Sequence, residues 1–163
     1  MLLKFEELPE NSRVWVYQSN RPMEQRELDY IKIQTGEFIS SWESHSTPVP
    51  GSFKILYERF LIIAADESGF TVSGCSTDKS VHFIKGLQDE LCISFFDRLL
   101  MPFKKKDQIS FYSMNSLKDL INKGEIHGDQ ILLNTLVSNI HELNNSFEIR
   151  AADSFLAKYW TVK

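Results

Sequence analysis

Hydrophobic and polar positions along the chain follow two different periods. A run rich in β-branched and aromatic residues, Arg13 to Tyr17, predicts a strand. A long amphipathic helix follows Asn20, because apolar residues then recur at spacings of three, four and seven. These residues are Leu28, Ile31, Phe38, Ile39 and Trp42. The helix has to end before Pro48 and Pro50, since proline cannot occupy a helix interior.

The segment from Phe53 to Ala65 has the composition of a strand throughout. Its continuous apolar run, Leu61-Ile62-Ile63, indicates burial on both faces. The segment is either one long bent strand or two strands joined at Glu58-Arg59, and we favour one strand because the junction lacks turn-forming residues. A turn at residues 66–69 then predicts a short antiparallel strand over Phe70 to Val72.

The second half of the chain predicts shorter elements. A helix from Asp78 to Cys92 would bury one apolar face. A hairpin follows, with its tip at the Lys104-Lys105-Lys106 run, and then a helix from Ser116 to Asn122 that Gly124 terminates. Further short helices are predicted near Ile140 and over residues 152–160.

This order of elements predicts an α+β fold. Neighbouring strands without intervening helices favour a two-layer sandwich, in which helices pack on one face of a mixed or mainly antiparallel sheet. A ferredoxin-like arrangement is one of several topologies that fit the N-terminal part. We interpret residues 1–163 as a single domain, with residues 113–163 as a small helical C-terminal region or appendage.

Composition narrows the classes of function. The chain has 163 residues, of which 42% are hydrophobic and 25% charged, as is typical of a soluble globular protein. Its net charge of −4 argues against general nucleic-acid binding, which needs a positive surface. The first residues become acidic too early for a signal peptide, and no stretch has the length of a membrane span. We therefore expect a cytoplasmic protein.

The two cysteines are expected to be free thiols. If the residues between Cys75 and Cys92 are helical, their Cα atoms lie on the order of 20 Å or more apart, which no disulfide can bridge. Two free thiols fit a reducing compartment. Their spacing matches no metal-binding motif, and we expect neither a metal nor a cofactor.

The stretch GFTVSGCS resembles a nucleotide-binding P-loop at every defined position except one. The P-loop pattern GxxxxGK[ST] needs its lysine to reach the β- and γ-phosphates, and Cys75 stands at that position. The four residues between Gly69 and Gly74 also favour an extended backbone. An ATPase with a degenerate P-loop is therefore the least favoured function.

The same stretch offers a reactive thiol or an anion site at a helix start. If the helix begins near Thr77, its dipole and unpaired N–H groups favour an anion there. The candidate catalytic residues are Cys75, His82 and Asp78, and the candidate ligand-binding residues are Gly74, Cys75, Ser76, Thr77 and Asp78. The alternative, which we favour, is architectural. Cys75 is then a small buried residue at a strand–helix corner, and Ser76 or Thr77 caps the helix.

Four segments together resemble an uncharacterised family of small bacterial proteins. They read RVWVYQSNRP, FKILYERFLIIAADES, SGCSTDKSVHFIK and FFDRLL, and the resemblance covers nearly the whole chain. Members of that family often carry the automatic label "ABC transporter ATPase". The chain lacks both the P-loop lysine and an LSGGQ-like signature. The resemblance implies a cytoplasmic stand-alone protein and transfers no catalytic residue.

Two functions remain open at this point. The leading hypothesis is a non-catalytic α+β domain that binds a protein partner or a small ligand, as a monomer or a homo-oligomer. It depends on abundant aromatic residues and on exposed edges of the sheet. The rival hypothesis is a thiol-dependent or anion-binding enzyme centred on residues 74–78.

Overall fold

Consecutive strands without intervening helices occur along the chain, as the sequence predicts. The structure is a computed structural model, which describes residues 1–69 and 71–161. The helices are α1 (Gln25–Ser41), α2 (Gly74–Leu91), α3 (Met114–Asn122) and α4 (Ile140–Ser146). The strands are β1 (Arg13–Gln18), β2 (Glu43–Ser44), β3 (Thr47–Pro48), β4 (Gly51–Leu56), β5 (Phe60–Ala65), β6 (Leu100–Lys105), β7 (Gln108–Ser113), β8 (Ile131–Leu133) and β9 (Glu148–Arg150). All paired strands are antiparallel, and the predicted α+β class is confirmed.

The chain divides into two compact units. The N-terminal unit comprises Met1–Asp97 together with Ser138–Leu143. The C-terminal unit comprises Arg98–Val137 and the residues from Asn144 onward. The N-terminal unit is therefore discontinuous in sequence, since six of its residues follow most of the other unit.

A three-stranded sheet forms the base of the N-terminal unit. Its strand order is β1-β5-β4, and β2 and β3 form a separate two-stranded hairpin. The succession β1, α1, β4, β5, α2 follows the first five elements of a ferredoxin-like β-α-β-β-α-β motif. At the position of the sixth element, a single antiparallel bridge joins Arg13 of β1 to Asn139.

The central strand β5 is buried on both faces, as its continuous apolar run predicts. All six of its residues are buried. Leu61 and Ile63 share one core with residues of α1 and α2, among them Ile31, Ile39, Ile84 and Leu87. The Phe38 ring of α1 stacks on the Phe83 ring of α2 with centroids 4.5 Å apart, which places both helices on this face.

The prediction of one continuous strand from Phe53 to Ala65 is wrong. The segment is a hairpin in which the Arg59 amide donates to the Leu56 carbonyl at 3.0 Å. Tyr57 and Glu58 both have positive φ, 55° and 53°, as a type I′ turn requires. Neither residue type favours that conformation, so the local sequence conceals the turn. Antiparallel pairing of β4 with the buried strand β5 imposes the turn.

The predicted beginning of the second helix is also wrong. The helix α2 begins at Gly74, four residues before Asp78, and its N-cap is Ser73 rather than Ser76 or Thr77. The Ser73 side chain accepts a hydrogen bond from the Ser76 amide at 3.2 Å. Of the short strand predicted over Phe70 to Val72, Phe70 lies outside the described residues, and the other two residues belong to no strand.

The C-terminal unit has its own four-stranded sheet, in the order β7-β6-β8-β9. The predicted hairpin is present as β6 and β7. Gly124, with φ of 72°, follows α3 as expected of a helix-terminating glycine. The helix predicted near Ile140 is present as α4, whereas two 3₁₀ turns, Ala151–Asp153 and Ala157–Tyr159, stand in place of the helix predicted over residues 152–160. The C-terminal unit also contains the short strands β8 and β9. Its core includes Phe103, Leu117, Ile126, Leu132 and Leu156.

Candidate functional site

The α2 corner, residues 73–78, is built from hydrogen bonds to the β2–β3 hairpin. The Ser73 amide donates to the Ser44 hydroxyl at 3.1 Å. The Ser76 hydroxyl donates to the Glu43 carbonyl at 2.8 Å, and Ser76 is buried. Buried polar groups need such partners, because desolvation without one is costly. These polar groups of the corner therefore bond to the β2–β3 hairpin of the same chain.

Trp42 completes this junction from the end of α1. Its indole Nε1–H donates to the Ser76 carbonyl at 3.0 Å, and the ring is buried. The ring also meets Trp15 edge-on at 5.9 Å and lies 5.4 Å from the Phe38 ring. The predicted core role of Trp42 is confirmed. This residue couples the last turn of α1 to the first turn of α2.

The candidate ligand-binding residues of the corner differ in exposure. Gly74, Cys75 and Asp78 are exposed, and Thr77 is half-buried. The expectation that Cys75 is a small buried residue is wrong, because α2 begins earlier than predicted and Cys75 faces solvent in its first turn. Ser76 takes the buried position instead.

The candidate catalytic residues share one face of α2 but do not assemble. Cys75, Asp78 and His82 follow one another at helical spacings of three and four, and all three are exposed. The helical rise separates the Cα atoms of Cys75 and His82 by roughly 10 Å along the axis, beyond direct hydrogen-bonding reach. Cys75 and Cys92 are both free, as predicted. The arrangement provides an accessible thiol that the helical spacing separates from the His82 imidazole.

The strand and helix around Gly74 do not form a P-loop environment. A P-loop lies between a strand and a helix of an α/β fold, whose sheet is mainly parallel. The strand β5 that precedes α2 is antiparallel to both of its neighbours. Across residues 1–69 and 71–161, no three His, Cys, Asp or Glu side chains lie together as metal ligands would.

A large pKa shift in the N-terminal unit belongs to buried Glu27, which forms an ion pair with half-buried Arg21. The hydrogen bonds from Arg21 lower the pKa of Glu27 to about 2, against the opposing effect of burial. The guanidinium meets both carboxylate oxygens, at 2.6 and 2.9 Å, and also reaches the Leu91 carbonyl at 3.5 Å. The Glu24 amide donates to the same carboxylate at 2.8 Å. This pair fastens the start of α1 to the end of α2, which is a structural role.

The second candidate region is the outer edge of β4, whose residues are not among the site residues that the sequence predicts. On the opposite side of the sheet, residues 138–140 lie along the outer edge of β1. The Val14 amide donates to the Ser138 carbonyl at 2.9 Å, and the Ile140 amide donates to the Ser12 carbonyl at 3.0 Å. The start of β1 therefore has its outward backbone groups paired within the chain.

The edge of β4 is paired only at its start. The Gly51 amide donates to the Met1 carbonyl at 3.0 Å, and the Leu3 amide donates to the Gly51 carbonyl at 2.8 Å. Outward and inward backbone groups alternate along a strand, so Phe53 and Ile55 present their N–H and C=O groups on the same side as Gly51. No backbone partner for these groups lies within the described parts of the chain. We call these two outward pairs of N–H and C=O groups the open edge.

Apolar side chains border the open edge on its helix face. Phe53 and Ile55 are half-buried against the core, and Ile33 of α1 is 60% exposed. A Cβ at Gly36 would lie 3.8 Å from Leu2 Cδ2 and 4.0 Å from Phe53 Cε1. Since glycine has no Cβ, a shallow notch remains between these two side chains.

A single cation occupies the opposite face of the same strand segment. Lys54 lies between Phe53 and Ile55 in the sequence, and its side chain therefore projects from the other face of the sheet. Its Nζ lies 4.8 Å from the centre of the Phe5 ring. Among the described residues, no carboxylate lies within ion-pair distance of it.

Comparisons of the chain with protein-family models, curated proteins and solved structures found no match. The resemblance to the small bacterial family therefore stays a prediction from the sequence. Within the residues that the structure describes, no helix has both the length and the apolar character of a membrane-spanning segment.

Proposed function

We propose that the chain is a non-catalytic binding domain that takes up an extended segment of a protein partner along the open edge. One observation carries the proposal: the outward backbone groups of Phe53 and Ile55 have no backbone partner among residues 1–69 and 71–161, and the apolar side chains of the same two residues are half-buried. Strand addition uses both features, because main-chain hydrogen bonds supply affinity and alternate side chains supply specificity.

The surroundings of the open edge suit a partner better than solvent. Proteins usually protect edge strands by covering them or by placing charges and prolines along them. Along β4, backbone pairing with Met1–Leu3 reaches only Gly51 within the described residues, and the Ser52 hydroxyl donates to the Leu3 carbonyl at 2.8 Å. The 3₁₀ turn Phe5–Glu7 that follows packs against β4, but in the described part of the chain no backbone hydrogen bond joins this turn to Phe53 or Ile55. The notch at Gly36 adjoins Phe53, and exposed Ile33 lies about one helical turn before Gly36 on α1.

An exposed thiol favours a second candidate function, a thiol-dependent or anion-binding enzyme. Cys75 is accessible in the first turn of α2, where the helix dipole favours an anion. Cys92 is an internal control, because it is also exposed but stands at the opposite end of the helix. Alkylation rates should be measured against pH in Cys75→Ser and Cys92→Ser variants. Equal profiles for the two thiols would remove the enzyme hypothesis.

We place the domain in the cytoplasm. Two accessible thiols, at Cys75 and Cys92, remain reduced most readily in a reducing compartment. The cytoplasmic character implied by the family resemblance agrees with this placement.

Site-specific photocrosslinking tests the binding function. The photoreactive residue p-benzoylphenylalanine replaces Phe53 in one variant and Phe155 in the other. Phe155 is an exposed phenylalanine of the C-terminal unit and provides the matched control. We expect crosslinking to an extended segment of one protein from position 53 only.

The captured protein must then be tested for its effect on the backbone. Hydrogen exchange of the Phe53 and Ile55 amides should become slower when the purified partner is added, because these amides would donate to it. Exchange at Thr77 in α2 should stay unchanged. Crosslinking from both positions, or binding without protection of the two amides, would contradict the proposed function.

A further inference from the structure

We propose that the bound segment carries an acidic residue between two apolar residues, and that Lys54 selects the acid. This inference rests on the proposed function and defines the chemistry of its partner. The occupant is an extended segment of another protein rather than a second copy of this chain. The selecting residue is the cation at the centre of the open edge.

Strand geometry places the three side chains of the segment. Residues directly opposite each other on paired strands project from the same face of a sheet. The residues facing Phe53 and Ile55 would therefore lie on the helix face, beside exposed Ile33 and the notch at Gly36. That surface is apolar and takes apolar side chains.

The residue between them would lie on the opposite face, beside Lys54. Lys54 has no carboxylate partner among the described residues, and its ammonium lies over the Phe5 ring. The nearby cation Lys4 already has a partner, Glu7, at 3.6 Å. An acidic side chain opposite Lys54 would therefore supply the missing counter-charge.

The same cation disfavours pairing of two copies at this edge. Two copies could pair their β4 edges antiparallel about a two-fold axis, so that the outward groups of both Phe53 and Ile55 form hydrogen bonds. In that register, Phe53 faces Ile55 of the second copy. Lys54 then faces Lys54 of that copy. Like charges directly opposite each other on paired strands are destabilising. The charge of the edge therefore favours a different, acidic strand.

Three synthetic peptides test this selection, acetyl-Thr-Val-X-Val-Thr-amide with X as Glu, Gln or Lys. Binding to the full chain is measured by titration monitored with NMR, at low and at high salt. We expect the Glu peptide to bind roughly two- to five-fold more tightly than the Gln peptide, and the Lys peptide to bind least. The Lys54→Glu variant should reverse the order of the Glu and Lys peptides. High salt should reduce both preferences.

The outcomes separate the inference from the function on which it depends. If no peptide binds or protects the Phe53 and Ile55 amides, strand addition at this edge fails, and the inference fails with it. Only the inference is overturned if the peptides protect those amides but their affinities do not depend on the charge of X. The same holds if Lys54→Glu leaves the order of the Glu and Lys peptide affinities unchanged. Light scattering that shows a dimer, abolished by Ile55→Pro, would also overturn it in favour of a second copy.

Discussion

The α2 corner and the open edge of β4 use their polar groups in opposite ways. At the corner, Ser73 and Ser76 bond to the β2–β3 hairpin, and Trp42 bonds back to the Ser76 carbonyl. At the edge, the outward groups of Phe53 and Ile55 have no partner in the described chain. The polar groups of the conspicuous sequence motif therefore bond within the chain, whereas the outward groups of β4 are those that we propose a partner binds.

Residue types alone single out the corner, whereas the open edge is defined by the pairing of the strands. The corner attracts attention because its residue types are chemically versatile. The open edge depends on strand pairing, because pairing determines which backbone N–H and C=O groups are hydrogen-bonded within the chain. Variants that weaken the joint or fill the edge can test this comparison.

The largest effect is expected from Trp42→Ala at the joint. The variant loses the ring contacts with Trp15 and Phe38 and the indole hydrogen bond to the Ser76 carbonyl. Loss of a buried tryptophan costs about 3–5 kcal/mol of unfolding free energy. Urea unfolding measures the change. Trp42→Phe keeps most of the volume and should lose much less, and a loss below about 1 kcal/mol for Trp42→Ala would mean that the corner is no joint.

A second effect should appear at the other end of the α1–α2 pair, with Glu27→Gln. The pKa of Glu27 is lowered to about 2 in the folded chain, whereas an unfolded glutamate titrates near 4.5. The ionised carboxylate therefore stabilises the fold fully above about pH 4.5, and this contribution is lost as the pH falls towards 2. We expect Glu27→Gln to cost about 1–2 kcal/mol at pH 7.

Urea unfolding between pH 7 and pH 2 measures this dependence. The difference between the native chain and Glu27→Gln should shrink through that acid window. Asp29→Asn removes the same charge from an exposed position on the same helix and should leave the profile nearly unchanged. A constant difference at every pH would contradict the assignment of the effect to this carboxylate.

A third experiment compares two adjacent residues of the corner. Ser76→Ala removes a buried hydroxyl that bonds Glu43 and lies 2.9 Å from the Ser73 hydroxyl. Its expected cost is about 1–2 kcal/mol, because the Glu43 carbonyl loses its donor. Cys75→Ala changes an exposed side chain and should stay within about 0.5 kcal/mol. Chemical denaturation measures the loss of stability in both variants. A larger loss for Cys75→Ala than for Ser76→Ala would contradict the structural role of Ser76.

The smallest effect is expected at the edge, from Gly36→Ala. Glycine inside a helix is less favourable than alanine, so the variant should gain about 0.5–1 kcal/mol of stability. It would also fill part of the notch beside Phe53 and should weaken binding of the Glu peptide. Gly86→Ala in α2 is the matched control, because its added Cβ meets nothing within 4 Å. Thermal unfolding and peptide titration of both variants measure the two effects, and equal peptide affinities would exclude a role for the notch.

Sequence periodicity was sufficient for the regular elements with a clear apolar face. It predicted α1 and β1, the burial of β5 and the α+β class, because these depend on local patterns of burial. It failed at Tyr57-Glu58, where long-range pairing holds two unfavourable residues in a turn. The expectation of a buried Cys75 was also wrong. It followed from the usual burial of free cysteine at a corner before the helix, whereas α2 begins at Gly74 and Cys75 is exposed in its first turn.

The open edge could be anticipated only in part. Lys54 between Phe53 and Ile55 is a charge within an alternating strand, as edge strands often have. Which edge stays open depends on Met1–Leu3 pairing with Gly51 and on residues 138–140 lying along β1, and both contacts join distant parts of the chain. Periodicity contains no information about such contacts.

The discontinuity of the N-terminal unit has a consequence for its synthesis. Residues 138–140, which pair with the start of β1, are translated more than forty residues after Asp97. At about 5–20 residues per second, the ribosome needs roughly 2–9 s to reach them. During that interval the nascent sheet exposes the outer side of β1 as well as that of β4, and it is then most vulnerable to aggregation.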